Sequence, residues 1–186
     1  MRLFTALLIP DAVRDAALAV QERLKATDAD VRWSVPENLH LTVTFLGDLD
    51  NGLLPDIQTA CETIAAETSP FRIRLAGTST FPKRGPSIKT IFLAVTEGAE
   101  EWRSLVQRSE PWWTPYNVAR EGGLVAHLTL GRVRSERNMT TLREAIAAEK
   151  DTDCGTLTAD RLTLVQSILD PKGATYEERG SWSFQS

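Results

Sequence analysis

The sequence predicts an α+β fold with antiparallel or mixed sheets. Helical periodicities alternate with β-branched, aromatic runs, and several of those runs are joined by hairpin-length turns. A His-Leu-Thr tripeptide also occurs twice, 87 residues apart in a chain of 186, which hints at two pseudo-symmetric lobes.

Residues 3–9 form a continuous apolar run ended by Pro10, which suits a strand buried on both faces. Val13, Ala17, Val20 and Leu24 then recur at helical spacing, with Asp11 as the expected N-terminal cap. After a turn at Pro36-Glu37-Asn38, residues 40–46 read as a strand. A second helix follows the Asn51-Gly52 break and is marked by Leu54, Ile57, Cys61 and Ile64. Residues 71–81 and 90–95 read as strands joined by loop 82–86, and Trp102, Leu105 and Val106 mark a short helix. Residues 111–123, with Trp112, Trp113, Pro115 and a Gly pair, follow no period and are expected to form a long loop. Residues 124–133 are the next strand, and Leu142 and Ile146 mark a helix. Strands 157–167 and 175–184 then close the chain around a Pro171-Lys172-Gly173 turn. No linker interrupts this order, so residues 1–186 are expected to form one domain.

Hydrophobic residues at 42% and charged residues at 25% argue against disorder and against a coiled coil. A net charge of -4 and a pI near 5.3 argue against a protein that coats nucleic acid non-specifically, which needs a broad basic face. The charge is uneven, however: no acid occurs between Glu67 and Glu97, where Arg72, Arg74, Lys83, Arg84 and Lys89 accumulate. That segment reads equally as an anion site and as a basic sheet edge that discourages strand pairing. Residues 3–9 are too few to span a bilayer and no small-residue cleavage site follows them, so a cytoplasmic chain without a membrane segment is expected. Cys61 and Cys154 form no Cys-x-x-Cys pair and read as reduced, structural thiols.

Both histidines of the chain lie in the repeated tripeptide, His40-Leu41-Thr42 and His127-Leu128-Thr129. On a strand, His40 and Thr42 share one face while Leu41, Val43 and Phe45 share the other; His127 and Thr129 oppose Leu128 and Leu130 in the same way. Each strand then presents an imidazole and, about 7 Å along, a hydroxyl. Two such strands facing one another would surround a tetrahedral phosphate, with hydroxyls on its non-bridging oxygens and imidazoles on opposite sides of phosphorus. In-line displacement needs a base at one end and an acid at the other, and an imidazole pKa of about 6.5 serves both roles near neutrality. A strained cyclic phosphodiester needs only a proton on its leaving hydroxyl, so no metal and no other cofactor is expected. For either motif alone the alternative is a hydrogen-bonded core histidine; the duplication weighs against it. Two histidines fall short of a zinc ligand set, and no Gly-x-Ser-x-Gly turn marks a serine hydrolase.

With these motifs the chain resembles the 2H phosphoesterase superfamily, and within it the bacterial and archaeal RNA 2′,3′-cyclic phosphodiesterases once called 2′-5′ RNA ligases. The likeness extends to Arg2-Leu3-Phe4, Arg32-Trp33, Pro36-Glu37-Asn38-Leu39 before the first motif, Leu130-Gly131-Arg132 after the second, and a closing hairpin with Gly173 and Tyr176. The resemblance implies a bilobed, pseudo-two-fold fold, with antiparallel sheets lining a central cleft and helices packed outside. It also implies metal-independent hydrolysis of RNA 2′,3′-cyclic phosphate ends to 2′-phosphates by a monomer. By motif, His40 is the general acid toward O3′ and His127 the base toward water; Thr42, Thr129 and Arg132 hold the phosphate. Two departures stand out: Ala126 occupies the place where the family commonly has Pro, and strand parity turns Arg132 away from His127 unless the backbone bulges at Gly131. Residues 112–116 have no counterpart and are expected either to stack a base or to cover a lobe. Two other functions fit the same residues: a phosphodiesterase for small cyclic nucleotides or an ADP-ribose cyclic phosphate, and an RNA-end binding module with little turnover.

Overall fold

β1 (Arg2–Leu8) carries five consecutive buried residues, as a strand covered on both faces must. The structure is a computed structural model that describes residues 1–83, 85, 87–116, 118, 124–170 and 173–185. Arg84, the Gly122-Gly123 pair and the Pro171-Lys172 part of the expected turn lie outside the described residues. β1 pairs antiparallel with β3 (His40–Asp48) on one side and β8 (Arg161–Asp170) on the other, and β9 (Gly173–Ser183) extends β8. A second set pairs β6 (His127–Val133) with β5 (Thr90–Glu97), β5 with β4 (Phe71–Phe81), and β4 with β7 (Asp153–Ala159). The two four-stranded halves join where β3 meets β6. This makes one antiparallel sheet in the order β7-β4-β5-β6-β3-β1-β8-β9, with the short β2 (Val31–Trp33) added to β6.

The helices cover one face of this sheet. α1 (Asp11–Lys25) packs on β7, α2 (Leu54–Ala66) on β8 and β9, α3 (Ala99–Trp113) on β3, and α4 (Met139–Ala148) on α1 and β4. Leu41, Leu128 and Leu130 join Val20, Leu24, Ile57 and Leu105 in the resulting core. A smaller cluster, Phe4, Ala6 and Val165 with Phe45 and Tyr176, gathers separately. Among the described residues no helix is long and apolar enough to cross a membrane.

The structure revises several expectations. Pro10 occupies the cap position of α1; Asp11 is its first residue and pairs with Arg14, a placement that suits the positive helix end. The stretch read as one strand over 157–167 is two strands divided at Asp160, and they lie in opposite halves of the sheet. A change of burial pattern marks the division: Leu157 and Ala159 are buried alternately before it, whereas residues 162–165 are buried in succession after it. Residues 111–113 belong to α3 rather than to a loop. Its buried positions run Trp102, Leu105, Val106, Ser109 and Trp113, and the polar Ser109 interrupts what would otherwise read as an apolar helical stripe. Arg72 and Arg74 lie on the interior strand β4, not on an edge. Glu97 and Asp153, brought by β5 and β7, pair with them at 3.5 and 2.6 Å and offset the local positive charge.

Candidate active site

β3 and β6 are antiparallel and in register at Leu41 and Leu128, the middle residues of the two tripeptides. Partner numbers in an antiparallel ladder run in opposite directions, so His40 stands level with Thr129 and Thr42 with His127. Side chains directly opposite have Cβ atoms about 5 Å apart, and diagonal neighbours about 7–8 Å. The imidazoles therefore occupy one diagonal of a small parallelogram and the hydroxyls the other. Leu41 and Leu128, both fully buried on the helix side, lock this register.

The two histidines are held alike. His40 Nδ1 lies 2.8 Å from the Asn38 carbonyl, and His127 Nδ1 lies 2.8 Å from the Val125 carbonyl. Each carbonyl accepts from an Nδ1–H, which leaves Nε2 as the working nitrogen. His40 Nε2 is 2.9 Å from Thr42 Oγ1. Aromatic rings pack around both: Phe4 stacks on His40 and Tyr176 meets its edge, while Phe81 and Phe92 flank His127. Burial pushes both imidazoles below their ordinary value, against the opposing pull of the Asn38 and Val125 carbonyls. The neighbouring His127 lowers His40 further, and Arg132 does the same to His127.

Two adjoining cavities of about 570 and 590 Å³ open on this group. His40 lines the first and His127 the second, and Arg2, Thr42, Phe45, Thr129 and Arg132 line both. Phe45 therefore faces the cleft and does not share the buried face with Leu41 and Val43. Along β1, Ala6 pairs with Thr42 and Thr5 with Thr44, so Val43 is an extra residue that shifts the alternation before Phe45.

A second bulge brings Arg132 to the site. Opposite β5, Thr129 pairs with Phe92 and Gly131 with Ile91, which leaves Leu130 unmatched. Leu130 and Gly131 are both buried and Arg132 emerges on the cleft side with Thr129. Gln21, a buried amide on α1, fastens this bulge: its Nε2 donates to the Ser34 carbonyl at 2.8 Å and to the Leu130 carbonyl at 2.9 Å. Ser34 adds its backbone N–H to the Leu130 carbonyl and its hydroxyl to the Thr129 carbonyl, each at 2.9 Å. Ala126, where a proline was expected, is buried immediately before His127. From the other side, α3 braces β3: Trp102 Nε1 donates to the Thr42 carbonyl at 3.2 Å, and the Ser109 and Thr44 hydroxyls meet at 3.4 Å. Trp113, in the stretch expected to stack a base or cover a lobe, is buried and forms part of the wall beside His127.

All five residues singled out in the sequence, His40, Thr42, His127, Thr129 and Arg132, therefore converge on one cleft. Sequence reasoning missed Arg2, Arg32 and Arg134, which line the His40 half, and missed Gln21. A polar residue at a position where the α1 periodicity points inward was the available signal for Gln21.

The chain is similar to known proteins along nearly its whole length. Residues 7–92 match the family model described as LigT-like phosphoesterase. The RNA 2′,3′-cyclic phosphodiesterase of Methanothermobacter thermautotrophicus is 31% identical over 178 residues, covering 96% of each chain. Its namesake from Thermus thermophilus is also 31% identical, over 95% of this chain and 86% of that protein. Among solved structures, TT0787 of Thermus thermophilus superposes with a TM-score of 0.76 at 28% identity, covering 99% and 98% of the two chains. Escherichia coli LigT complexed with 3′-AMP superposes with a TM-score of 0.79 at 17% identity over 100% of this chain and 98% of that one, a likeness of fold.

Proposed function

Because the chain belongs to the LigT-like phosphoesterases of the 2H superfamily, we propose that it is an RNA 2′,3′-cyclic phosphodiesterase acting as a single catalytic domain. The observation that supports this reading is the Leu41–Leu128 register, which sets two imidazoles and two hydroxyls on adjoining positions of one sheet face.

Neutral His127, with its proton held on Nδ1 by the Val125 carbonyl, offers the Nε2 lone pair to a water molecule. The water oxygen bonds to phosphorus as its proton passes to His127. The P–O3′ bond opens on the opposite side, where imidazolium His40 delivers its Nε2 proton to the departing oxygen. The product is a 2′-phosphate with a free 3′-hydroxyl; the imidazoles end with exchanged protonation and reset through solvent. Thr42 and Thr129 donate hydroxyls to the non-bridging oxygens, and the Arg132 guanidinium balances the charge that builds there. Oriented donors of this kind are each worth roughly 3–4 kcal/mol of barrier in comparable sites.

The test is incubation with an oligoribonucleotide ending in a 2′,3′-cyclic phosphate, with excess chelator, followed by identification of the phosphate isomer. A 2′-phosphate product that forms at an undiminished rate is expected. Exclusive 3′-phosphate, or turnover abolished by the chelator, contradicts the mechanism. Tight binding of the end without hydrolysis identifies a binding module instead.

A further inference from the structure

Arg32 and Arg132 stand directly opposite one another in the β2–β6 ladder. Like charges so placed repel, and among the described residues neither has a carboxylate partner. Arg134, two positions beyond Arg132 on extended chain, opens on the same half of the cleft, as does Arg2. Of the four, only Arg2 has a carboxylate partner among the described residues: Asp48, at 3.9 Å and largely exposed. No Asp or Glu among the described residues lines this half. The phenol of Tyr176 lies within the field of Arg132, Arg32 and Arg2 together. A cyclic phosphodiester carries one negative charge, which Arg132 and the two threonines already meet. The remaining guanidiniums exceed what the scissile group requires.

We infer that Arg32 and Arg134 form a second anion subsite, one that takes the phosphodiester on the 5′ side of the terminal nucleotide. This rests on the proposed chemistry, which fixes substrate polarity. The acid His40 must stand beside O3′, so the terminal ribose and the chain running 5′ from it lie in the His40 half, where these arginines are. The exposed apolar side chains of Val35 and Leu169 on the same rim give the terminal base a surface to rest on. The preferred substrate is therefore a chain of at least two nucleotides, not a cyclic mononucleotide. The two arginines come from β2, a strand only three residues long that carries Arg32, and from the residue just beyond β6, Arg134.

The experiment compares a dinucleotide ending in a 2′,3′-cyclic phosphate with the same molecule carrying an uncharged methylphosphonate at its internal linkage. The wild-type protein is expected to favour the charged dinucleotide at least tenfold in kcat/KM, mostly through KM. Its salt dependence should be steeper by about 0.7 in log–log slope for the one added phosphate contact. Arg32→Gln and Arg134→Gln should each lower the charged-to-neutral ratio. Equal handling of both molecules by the wild-type protein overturns the inference and leaves the phosphodiesterase assignment intact. Equal slowing of both by the two substitutions overturns it too, since the arginines would then act at the scissile phosphate. If neither molecule is hydrolysed, the assigned activity falls and this subsite with it.

Discussion

Leu41 faces Leu128 across the ladder that joins the two halves of the sheet, and this apolar pair fixes the polar group on the other side. A slip of one residue would send both imidazoles into the core and both leucines into the cleft. The pairing makes the site nearly two-fold, yet the surroundings of the two histidines differ. His40 packs on Phe4 and Tyr176 in the half that holds Arg32 and Arg134. His127 packs on Phe81 and Phe92 next to the wall formed by α3. On the proposed function the RNA chain and its departing O3′ lie in the cationic half, which leaves the attacking water to the His127 side. This asymmetry supports giving the two rings opposite roles.

The first prediction concerns pH. Both imidazoles lie below the ordinary value, chiefly through burial. The base must be unprotonated, so activity rises with pH through one apparent pKa; the acid must be protonated, so activity falls through the other. The kcat/KM profile of the free protein should therefore be a bell centred on the acid side of about 6.5, with apparent values that belong to the pair. A bound phosphate anion favours imidazolium at His40, so the alkaline limb of the kcat profile should lie at higher pH than that of kcat/KM. Coincident alkaline limbs would contradict the assignment, and so would full activity in His40→Ala or His127→Ala.

A second prediction concerns Gly131, which lets β2 approach β6. A Cβ there would meet Val31 Cγ1 at 2.7 Å, Trp33 Cε3 at 2.9 Å and the Arg32 carbonyl at 3.2 Å. Gly131→Ala should push β2 outward and cost about 1–3 kcal/mol of overpacking strain. The same shift disturbs Ser34, whose hydroxyl holds the Thr129 carbonyl. Thermal unfolding and steady-state kinetics check this together: a lowered midpoint accompanied by a lowered kcat/KM is expected. A variant with wild-type midpoint and turnover would show that β2 is not tightly seated.

The cysteines give a third. Cys61 is buried on α2 and its thiol is pushed up to about 12 by burial alone; Cys154 is raised to about 11 for the same leading reason. At neutral pH neither carries appreciable thiolate, the reactive form. Native protein should resist alkylation by iodoacetamide for hours and react at both positions once denatured. Rapid native modification of Cys61 would mean that α2 opens far more readily than its packing on β8 and β9 suggests.

Much of this was legible in the chain because the relevant signals are local. The alternation of His40, Leu41 and Thr42 states which side of a strand is wet, and its repetition at residues 127–129 gives a reason for the two strands to meet. Register was not legible, since nothing in either tripeptide says that Leu41 pairs with Leu128. Bulges were the main source of error. Counting by twos from His40 buries Phe45 and counting from His127 buries Arg132, yet one extra residue in each strand turns both into the cleft. Position 131 could be flagged because glycine permits such a bulge, whereas Val43 offered no such sign. A run of like charges along the sequence, Arg72 to Lys89, is conspicuous, whereas the cationic half of the cleft is not. Arg2, Arg32, Arg132 and Arg134 come together only through pairing of strands distant in sequence.

The last prediction concerns Gln21, which touches neither cavity. Its amide spends both hydrogens on carbonyls at the base of the cleft, those of Ser34 and Leu130, and Leu130 is the bulged residue. Gln21→Leu removes both donors. The buried Leu130 carbonyl keeps only the Ser34 N–H, and the half-buried Ser34 carbonyl loses the amide, at a combined cost of about 1–3 kcal/mol. If stability were the whole effect, the folded fraction at low temperature would turn over normally. If the amide holds the bulge that aims Arg132, kcat/KM should stay depressed well below the unfolding transition, as in Arg132→Ala, and the double variant should lose less than the two single losses combined. Gln21→Glu sharpens the distinction. A carboxylate in that place confronts two carbonyl oxygens, so this variant should be worse than Gln21→Leu at neutral pH. Relative to the wild-type protein it should recover as the pH falls, because a protonated carboxyl regains one donor for the pair of carbonyls.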